Sequence, residues 1–317
     1  MLIRSRAIFA PATAASWTDV PSKCAACGRE DGDGGLKLCA ACNLVKYCCA
    51  SCQRKHRPAH EEDCKVRAAE LREEALFQTP PPPDDCPVCF LPHSVEFVQG
   101  FHTQHYKTCC GKTVCYGCQF TMAQMSSSRE KHVCAFCREP CVQTAKEDIE
   151  RGKERMALGD ADALDWMADM YQAGVGVPRN HEKAVELRRR AVKLGSAEAL
   201  FSLGNCYQEG EGVSMDKEKE RHYLELAAMK GHTSARHNLG CYEITEGDLN
   251  KAMRHFVIAA RSGHKGSLSA VCEGFRSRDV TKQDFEETLR AFQQSANESK
   301  SKQRDEAAAH LKERMNS

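Results

Sequence analysis

Small and apolar residues recur at a fixed distance through the C-terminal half of this 317-residue chain. Alanines and leucines repeat every 36 residues, and pairs of glycines repeat at the same distance. A period of this length predicts stacked supersecondary units. The repeating positions are Ala163, Ala199 and Ala235; Leu203 and Leu239; Gly174, Gly176 and Val177, then Gly210, Gly212 and Val213; and Ala191 and Gly195, then Ala227 and Gly231 and, after a shorter step of 32, Ala259 and Gly263.

Each unit has the pattern of a helix, a glycine-rich turn and a second helix. "ADALDWMADMYQ" precedes "AGVGVPRN", and "HEKAVELRRRAVKLG" follows it. Glycines permit positive φ in the turn, and Pro178 prevents the first helix from continuing. Small residues such as Ala191 and Ala227 let neighbouring helices approach closely. The pattern therefore predicts a mostly α protein with a solenoid of helix pairs.

The segments outside the repeats give fewer signals. "KVRAAELREEALF", from Lys65 to Phe77, is rich in good helix formers and predicts a helix. The prolines of "QTPPPPDD" predict a stiff spacer, with a proline-rich docking motif as the alternative. The first 21 residues predict a flexible tail, although their arginines and alanines also occur in transit peptides.

Composition predicts a soluble globular protein, with 41% apolar and 28% charged residues. No apolar run approaches the eighteen or more residues of a membrane span, so no membrane segment is expected. Seventeen of the twenty cysteines lie between Cys24 and Cys141. Without a secretory signal they should face a reducing cytoplasm or nucleus, which favours metal binding over disulfides.

The charge gives no indication of a nucleic-acid partner. The formal net charge of +1 becomes about −6 once cysteines bind zinc as thiolates. Local charge is mixed, as in "CQRKHRPAHEEDC", and no aromatic and basic platform is visible. Protein partners are therefore expected, without nucleic acid and without membrane.

The first cysteine cluster supplies eight ligands, enough for two tetrahedral zinc sites. So small a segment cannot bury a sufficient core, so zinc binding would supply its folding free energy. The ligand pairs are Cys24-x2-Cys27, Cys39-x2-Cys42, Cys48-x3-Cys52 and His60-x3-Cys64.

This order resembles the MYND finger, including Tyr47 before Cys48 and Gln53 after Cys52. The resemblance implies interleaved sites and leaves Cys49 as a packed free thiol. It also implies a groove for proline-rich peptides that includes Gln53, but Arg57 stands where the family usually has tryptophan. MYND fingers accompany methyltransferase domains, yet this chain shows no methyltransferase motif. The implied zinc sites are Cys24, Cys27, Cys48 and Cys52, and Cys39, Cys42, His60 and Cys64.

The second cluster contains three Cys-x2-Cys pairs and the adjacent Cys109 and Cys110. Two zinc ions need eight ligands, and the adjacent cysteines complete that number. Three alternatives exist for this cluster: a vicinal disulfide between Cys109 and Cys110, a ligand from His102 or His105, or Cys141 in place of Cys137. The pairs are Cys86 with Cys89, Cys115 with Cys118, and Cys134 with Cys137.

The element "CCGK" resembles RING-like fingers of the all-cysteine type, so Lys112 marks no missing ligand. In ligases of this family, an aliphatic residue between the first two cysteines contacts the ubiquitin-conjugating enzyme, and Val88 has that position. Arg138 has the position of the basic residue that clamps ubiquitin, and 119–125 would form the short helix beside the groove. Ala135, after the seventh ligand, stands where these fingers often have proline. The implied zinc sites are Cys86, Cys89, Cys115 and Cys118, and Cys109, Cys110, Cys134 and Cys137.

The repeats from about Gly159 to Gly263 resemble Sel-one-like repeats, α-solenoid relatives of the tetratricopeptide array, with a degenerate unit to about Gln293. The family implies a protein-binding scaffold. No catalytic constellation is visible, and His181, His222 and His255 are expected at the surface.

Together these patterns predict a zinc-binding scaffold with about four zinc ions, which is either a RING-type ubiquitin ligase whose solenoid selects the substrate or a non-enzymatic adaptor. The expected partners are a ubiquitin-conjugating enzyme and a substrate protein. The predicted organisation is a flexible tail at 1–21, a MYND-type finger at 22–67, a helix and proline-rich linker at 68–85, a RING-like finger at 86–141, a linker helix at 142–157, Sel-one-like repeats at 158–296 and a charged tail at 297–317.

Overall fold

The computed structural model describes residues 22–30, 35–93, 104–125, 133–134, 136–141 and 144–316. The chain divides into two compact units, one ending at Gln78 and the other beginning at Thr79. The predicted tail at 1–21 lies outside the described residues. Helices dominate the described residues, and the two short sheets found among them both lie in the cysteine-rich segments. The mostly α fold class is therefore confirmed.

The first unit consists of a two-stranded sheet and one long helix. Strands β1 (Lys37–Leu38) and β2 (Lys46–Tyr47) are antiparallel, and helix α1 spans Ala50–Leu76. The helix predicted from Lys65 therefore starts fifteen residues too late. The propensity of 65–77 marks only its second half, because Pro58 and several weak helix formers occupy the first half. Four residues form the buried centre of this unit: Cys24, Cys39, Cys42 and Tyr47.

The second unit begins with another antiparallel hairpin, made of β3 (Gln104–Lys107) and β4 (Lys112–Cys115), with Gln104 opposite Cys115. Helix α2 (Tyr116–Met125) follows directly and contains the segment 119–125, for which a short helix is predicted. Val114 is fully buried beneath this hairpin. The hairpin and α2 therefore form a small support for the second cysteine cluster.

The repeats form a stack of helix pairs, preceded by α3. Helices α4 with α5, α6 with α7 and α8 with α9 make the closest neighbours in the stack, and α10 and α11 both pack on α9. Helix α12 does not continue the stack, because it packs against α2. The bounds are α3 Ala145–Ala157, α4 Ala161–Ala173, α5 His181–Lys193, α6 Ala197–Glu209, α7 Lys217–Met229, α8 Thr233–Thr245, α9 Leu249–Arg261, α10 Lys265–Ser277, α11 Lys282–Glu298 and α12 Lys302–Asn316.

The residues of the 36-residue period have definite structural roles. Six alanines sit where helices meet and have no exposed surface: Ala163, Ala199, Ala235, Ala191, Ala227 and Ala259. Gly174 and Gly210 end α4 and α6 with φ of 74° and 75°, a backbone region that glycine enters without strain. The shorter third step removes four residues from the turn, since only 246–248 separate α8 from α9.

One expectation about the histidines is wrong. His255 has no exposed surface, whereas His222 is exposed and His181 is half-buried. The reason is the position of α9, which is covered by α8, α10 and α11 rather than by one neighbouring pair. Burial, together with the charge of nearby arginines such as Arg236, lowers the pKa of His255 to about 3.

Candidate metal centres

The first cysteine-rich segment brings eight ligand side chains into two interleaved clusters. Within each cluster, all ligand atoms lie within 4.8 Å of one another. The clusters are Cys24, Cys27, Cys48 and Cys52, and Cys39, Cys42, His60 and Cys64.

Helix α1 supplies three of these side chains. Cys52 lies in its first turn, whereas His60 and Cys64 are four residues apart and therefore share one face. The ring of His60 stacks on His56 at a centroid distance of 5.7 Å. His56 Nδ1 in turn lies 3.0 Å from the hydroxyl of the buried Tyr47. Tyr47 therefore positions the imidazole ligand through His56.

The second cysteine-rich segment, residues 86–141, also forms two clusters within the same 4.8 Å limit. Cys109 and Cys110 lie in the turn of hairpin β3–β4, strand β4 ends at Cys115, and α2 begins between Cys115 and Cys118. The two clusters alternate along the chain, as they do in the first segment. They consist of Cys86, Cys89, Cys115 and Cys118, and of Cys109, Cys110, Cys134 and Cys137.

The interatomic distances fit tetrahedral zinc. A Zn–S bond of about 2.3 Å requires sulfur atoms about 3.8 Å apart, whereas a disulfide requires about 2.05 Å. None of the twenty cysteines forms a disulfide. The closest contact to an imidazole joins Cys42 Sγ to His60 Nε2 at 3.2 Å. The Sγ–Sγ distances are 3.6 Å for Cys27 and Cys48, 3.5 Å for Cys48 and Cys52, 3.7 Å for Cys39 and Cys64, 4.0 Å for Cys86 and Cys118, 3.8 Å for Cys89 and Cys115, 3.9 Å for Cys110 and Cys134, and 3.5 Å for Cys109 and Cys137.

Electrostatics also indicate that these clusters need a cation. Backbone hydrogen bonding, chiefly from Cys48, lowers the pKa of Cys24 to about 6. In the neighbouring cluster, burial and then the nearby Cys42 thiol raise the pKa of Cys64 to about 12. Several crowded thiols cannot all ionise without a compensating positive charge. Four zinc ions would supply that charge, and four protein ligands at each site leave no open position for a substrate.

Four of the Cys-x2-Cys pairs form the same type of turn. In each of them, the residue after the second cysteine has a left-handed backbone conformation. In each turn, the amide after the second cysteine donates to the carbonyl of the first cysteine, at 2.8–3.1 Å. The first cysteine then donates its own amide to a residue five or six positions later, at 2.8–3.0 Å. Such turns point both sulfurs toward one ion. The left-handed residues are Gly28, Asn43, Phe90 and Arg138, with φ of 73°, 56°, 56° and 61°.

Further amides point at the sulfur atoms themselves. Leu44 N lies 3.5 Å from Cys42 Sγ, and Phe136 N lies 3.4 Å from Cys134 Sγ. Cys115 N lies 3.4 Å from Cys86 Sγ. Each contact stabilises a thiolate, so the backbone favours the form that binds metal.

The structure removes the alternatives for the second cluster that fall on described residues. Cys109 and Cys110 are not bonded to each other, and His105 belongs to no ligand group. Cys141 also lies outside the groups, while His102 lies outside the described residues. In the first segment Cys49 belongs to no group, but it is exposed rather than packed, which corrects that expectation.

An arginine near the C-terminus completes the surroundings of the second segment. Arg304, on α12, donates from Nη1 to the carbonyl of Pro92 at 2.6 Å and from Nη2 to that of Leu91 at 3.1 Å. Its Nη2 also lies 3.5 Å from Cys89 Sγ. Gly117 allows this approach, because a Cβ there would lie 2.8 Å from Arg304 Cγ. The sequence gives no signal for this contact, since 212 residues separate Arg304 from Pro92.

The residues predicted to bind partners differ in exposure. Val88 is half-buried against the Cys86 cluster, and Arg138 is exposed directly after Cys137. On α1, Gln53 and Arg57 are exposed one helical turn apart. Ala135 lies outside the described residues.

Comparison with known proteins identifies two parts of the chain. The family profile of the MYND finger matches residues 24–64, and that of the Sel1 repeat matches 161–196, 197–232 and 233–264. The chain carries a MYND finger and three Sel1 repeats. Both families are those that the sequence resembles.

Similar proteins share only part of their length with this chain. The Arabidopsis thaliana histone-lysine N-methyltransferase ASHR1 is 35% identical over 63 residues, which span 20% of this chain and 12% of that enzyme. A protective antigen of uropathogenic Escherichia coli displaying an SLR fold is 24% identical over 50% of this chain and 35% of its own, with a TM-score of 0.42. A Sel1 repeat protein from Oxalobacter formigenes is 19% identical over 50% and 68%, also with a TM-score of 0.42.

Among the described residues, no helix combines the length and the apolar character that crossing a membrane requires.

Proposed function

We propose that the protein is a protein-interaction scaffold held together by zinc, in which residues 86–141 act as a RING-type ubiquitin ligase and the Sel1 repeats select the substrate. The observation that carries this proposal is the pair of interleaved four-cysteine clusters in residues 86–141, with α2 starting between Cys115 and Cys118. Closed zinc sites of this kind support a surface rather than a reaction. We also propose a location in the cytoplasm or nucleus, because cysteines that bind zinc require a reducing compartment.

The surface of residues 86–141 has features suited to a docking partner. Phe90 and Phe136, which belong to two different zinc knuckles, are 76% and 45% exposed. Large aromatic side chains at this exposure are typical of protein interfaces. Val88 and Arg138 accompany them on the same two knuckles, which supports their proposed contacts with a ubiquitin-conjugating enzyme and with ubiquitin.

In this mechanism the protein supplies no covalent catalyst. Val88 would add apolar contact to the bound conjugating enzyme, and Arg138 would donate hydrogen bonds to the attached ubiquitin. Holding the charged enzyme and a substrate lysine together lowers the barrier through orientation. Arg138 would contact ubiquitin only when the conjugating enzyme and its attached ubiquitin adopt the arrangement that reacts. The contact would therefore accelerate transfer without strengthening docking.

The test is a ubiquitin-transfer assay on the full chain with a panel of conjugating enzymes. Val88→Ala should weaken docking up to about fivefold, since the lost apolar area is worth about 1 kcal/mol. Arg138→Ala should slow transfer and leave docking unchanged. Arg138→Gly should slow transfer equally while raising stability by about 1 kcal/mol, because glycine relieves the left-handed backbone.

Matched controls are Val66→Ala and Arg276→Ala, which change exposed residues outside the second segment. All variants should retain their zinc. Failure of the whole panel to transfer ubiquitin to any acceptor, with zinc bound, would contradict the ligase and leave the non-enzymatic adaptor. Transfer that survives both Val88→Ala and Arg138→Ala would contradict the assigned docking surface.

The MYND finger would act as a second docking module. Its exposed Gln53 fits the groove for proline-rich peptides, but Arg57 provides no aromatic face for proline to pack on. We expect such peptides to bind weakly, and Arg57→Trp to strengthen their binding in a titration of the full chain.

A further inference from the structure

A large cleft lies between the second cysteine-rich segment and the repeats. Its volume is about 1430 Å³, beyond the 300–1,000 Å³ of ordinary small-molecule pockets. The hairpin β3–β4 and the linker prolines form one wall, and α4, α6 and α8 contribute to the other. Leu311, on α12, also lines it. A space of this size suits a polypeptide segment better than a metabolite.

The cleft carries a surplus of negative charge. Two lysines, Lys112 and Lys230, provide the positive charge of its lining. The carboxylates outnumber them threefold, and they come from the linker as well as from the repeats. They are Asp84, Asp85, Asp162, Asp165, Asp169 and Glu198.

Two of these carboxylates already have strong partners. Arg188 Nη2 lies 2.7 Å from Asp169 Oδ1, and His232 Nε2 lies 3.1 Å from Glu198 Oε2. Among the described groups that shift the pKa of Asp162, none is a cation. Burial raises the pKa of Asp162, and the carboxylates of Asp160, Asp84 and Glu198 raise it further.

Two buried polar side chains in the cleft are incompletely satisfied. Asp165 is 6% exposed, its Oδ1 accepts no hydrogen bond from the described residues, and Arg188 Nε lies 3.7 Å from it. His93, on the opposite wall, is 7% exposed and its Nδ1 has no hydrogen-bond partner among the described residues. Buried polar atoms normally have partners, so these two indicate that the cleft takes a polar ligand, and the oxygen of Asp165 can accept a hydrogen bond from it.

Aromatic side chains complete the lining. The rings of Tyr106 and Trp166 lie 6.2 Å apart, one from the hairpin and one from α4. Tyr116 lines the cleft from the start of α2. Lysine and arginine side chains bind such aromatic faces through cation–π contact, in addition to pairing with carboxylates.

We propose that this cleft binds an extended, lysine- and arginine-rich segment of a partner protein. The acceptor atoms of Asp165 and Asp162, the aromatic faces and the excess of carboxylates all match one chemistry, that of cationic donors on a flexible chain. The inference deepens the proposed scaffold role, on which it rests, by naming the class of partner that the repeats select.

The test measures fluorescence anisotropy of a labelled twelve-residue peptide, three copies of Ala-Lys-Ser-Arg, with the full zinc-loaded chain. Binding should weaken when salt rises, because the contacts are ionic. The double variant Asp162→Asn with Glu198→Gln should bind at least tenfold more weakly. Asp165→Asn, which keeps the shape of the side chain, should also weaken binding and provides a second variant if the double variant folds poorly.

The matched control is Glu182→Gln with Glu186→Gln on α5, which removes the same charge from exposed positions outside the cleft. It should change affinity less than twofold. An equal loss in this control, or equal binding of a peptide with Glu and Asp in place of Lys and Arg, would overturn the proposal. The proposal would also be overturned if the peptide did not bind to the wild-type chain. Binding of calcium ions in the cleft without binding of the peptide would overturn it as well. The anisotropy assay contains no conjugating enzyme, so it does not depend on ligase activity. Failure of the ubiquitin-transfer assay and failure of peptide binding can therefore be distinguished.

Discussion

The zinc knuckles depend on the residue after each ligand pair as well as on the ligands. Gly28 and Asn43 belong to the residue types that tolerate left-handed backbone, whereas Phe90 and Arg138 are held there by the turn. The ligand pairs are visible in the sequence because their spacing follows from zinc geometry. The strained position of Arg138 is not visible, because no sequence rule assigns positive φ to arginine.

Zinc content should respond to single cysteines as the clusters require. Full-length protein should carry about four zinc ions, and Cys110→Ser should lose about one, because three ligands hold the ion less tightly. Cys141→Ser should lose none, since Cys141 belongs to no cluster. Elemental analysis of the folded variants checks both. Two or fewer ions in the folded wild-type protein would contradict the four-site arrangement.

Arg304→Ala should speed zinc release from the second segment. The substitution removes the donors to the Leu91 and Pro92 carbonyls, and charged hydrogen bonds of this type contribute about 1.5–3 kcal/mol each. The rate of transfer of zinc to a coloured chelator measures the effect. Arg276→Ala, which removes an exposed ion pair with Glu273, should leave the rate unchanged. Identical release rates for the two variants would show that the Arg304 contacts are dispensable.

At the scale of elements, the repeats are the part of the fold that sequence predicts best. Each unit repeats the same small residues at helix contacts and the same glycines in turns. The structure predicted for one unit is therefore supported by the pattern of the next. Single elements outside the repeats lack this redundancy. Helix α1 is predicted only in part because zinc ligands, not propensity, determine its first turns. Helix α12 is not predicted at all, because the tail at 297–317 shows charge without a clear apolar face.

Helix α9 should make the repeats sensitive to acid. The pKa of His255 is about 3 in the folded protein, mainly because it is buried, and about 6.5 in an unfolded chain. As pH falls below about 6.5, only the unfolded state binds the proton, so the free energy of unfolding decreases by about 1.4 kcal/mol per pH unit.

Urea unfolding followed by helical circular dichroism tests this between pH 6.5 and pH 4.5. His255→Leu should reduce the loss of stability with falling pH, because leucine cannot bind the proton. His222→Leu, at an exposed position on α7, should keep the wild-type slope. Equal slopes for the two variants would show that His255 does not determine the acid response.

At the scale of the whole molecule, zinc and apolar burial stabilise different parts of the chain. Both cysteine-rich segments have cores made largely of ligands, whereas the repeats bury apolar side chains between neighbouring helices. Most helical residues lie in α3 to α11, where no proposed ligand occurs.

Removal of zinc should therefore leave most of the helical signal intact. After chelation, circular dichroism should lose the contribution of α1, α2 and α12 and keep that of α3 to α11. A fragment from 144 to 317 contains no proposed ligand, so a chelator should not change its helical signal. Collapse of that signal on chelation would contradict the division.

The contact between Arg304 and the first knuckle of residues 86–141 also sets an order of events during synthesis. Pro92 is synthesised 212 residues before its partner arginine. At about 5–20 residues per second, this interval lasts roughly 10–40 s. The nascent second segment must bind zinc, or remain open, for that time without its C-terminal helix. The repeats can stack pair by pair during the same interval, so α12 would close a segment that is made well before it.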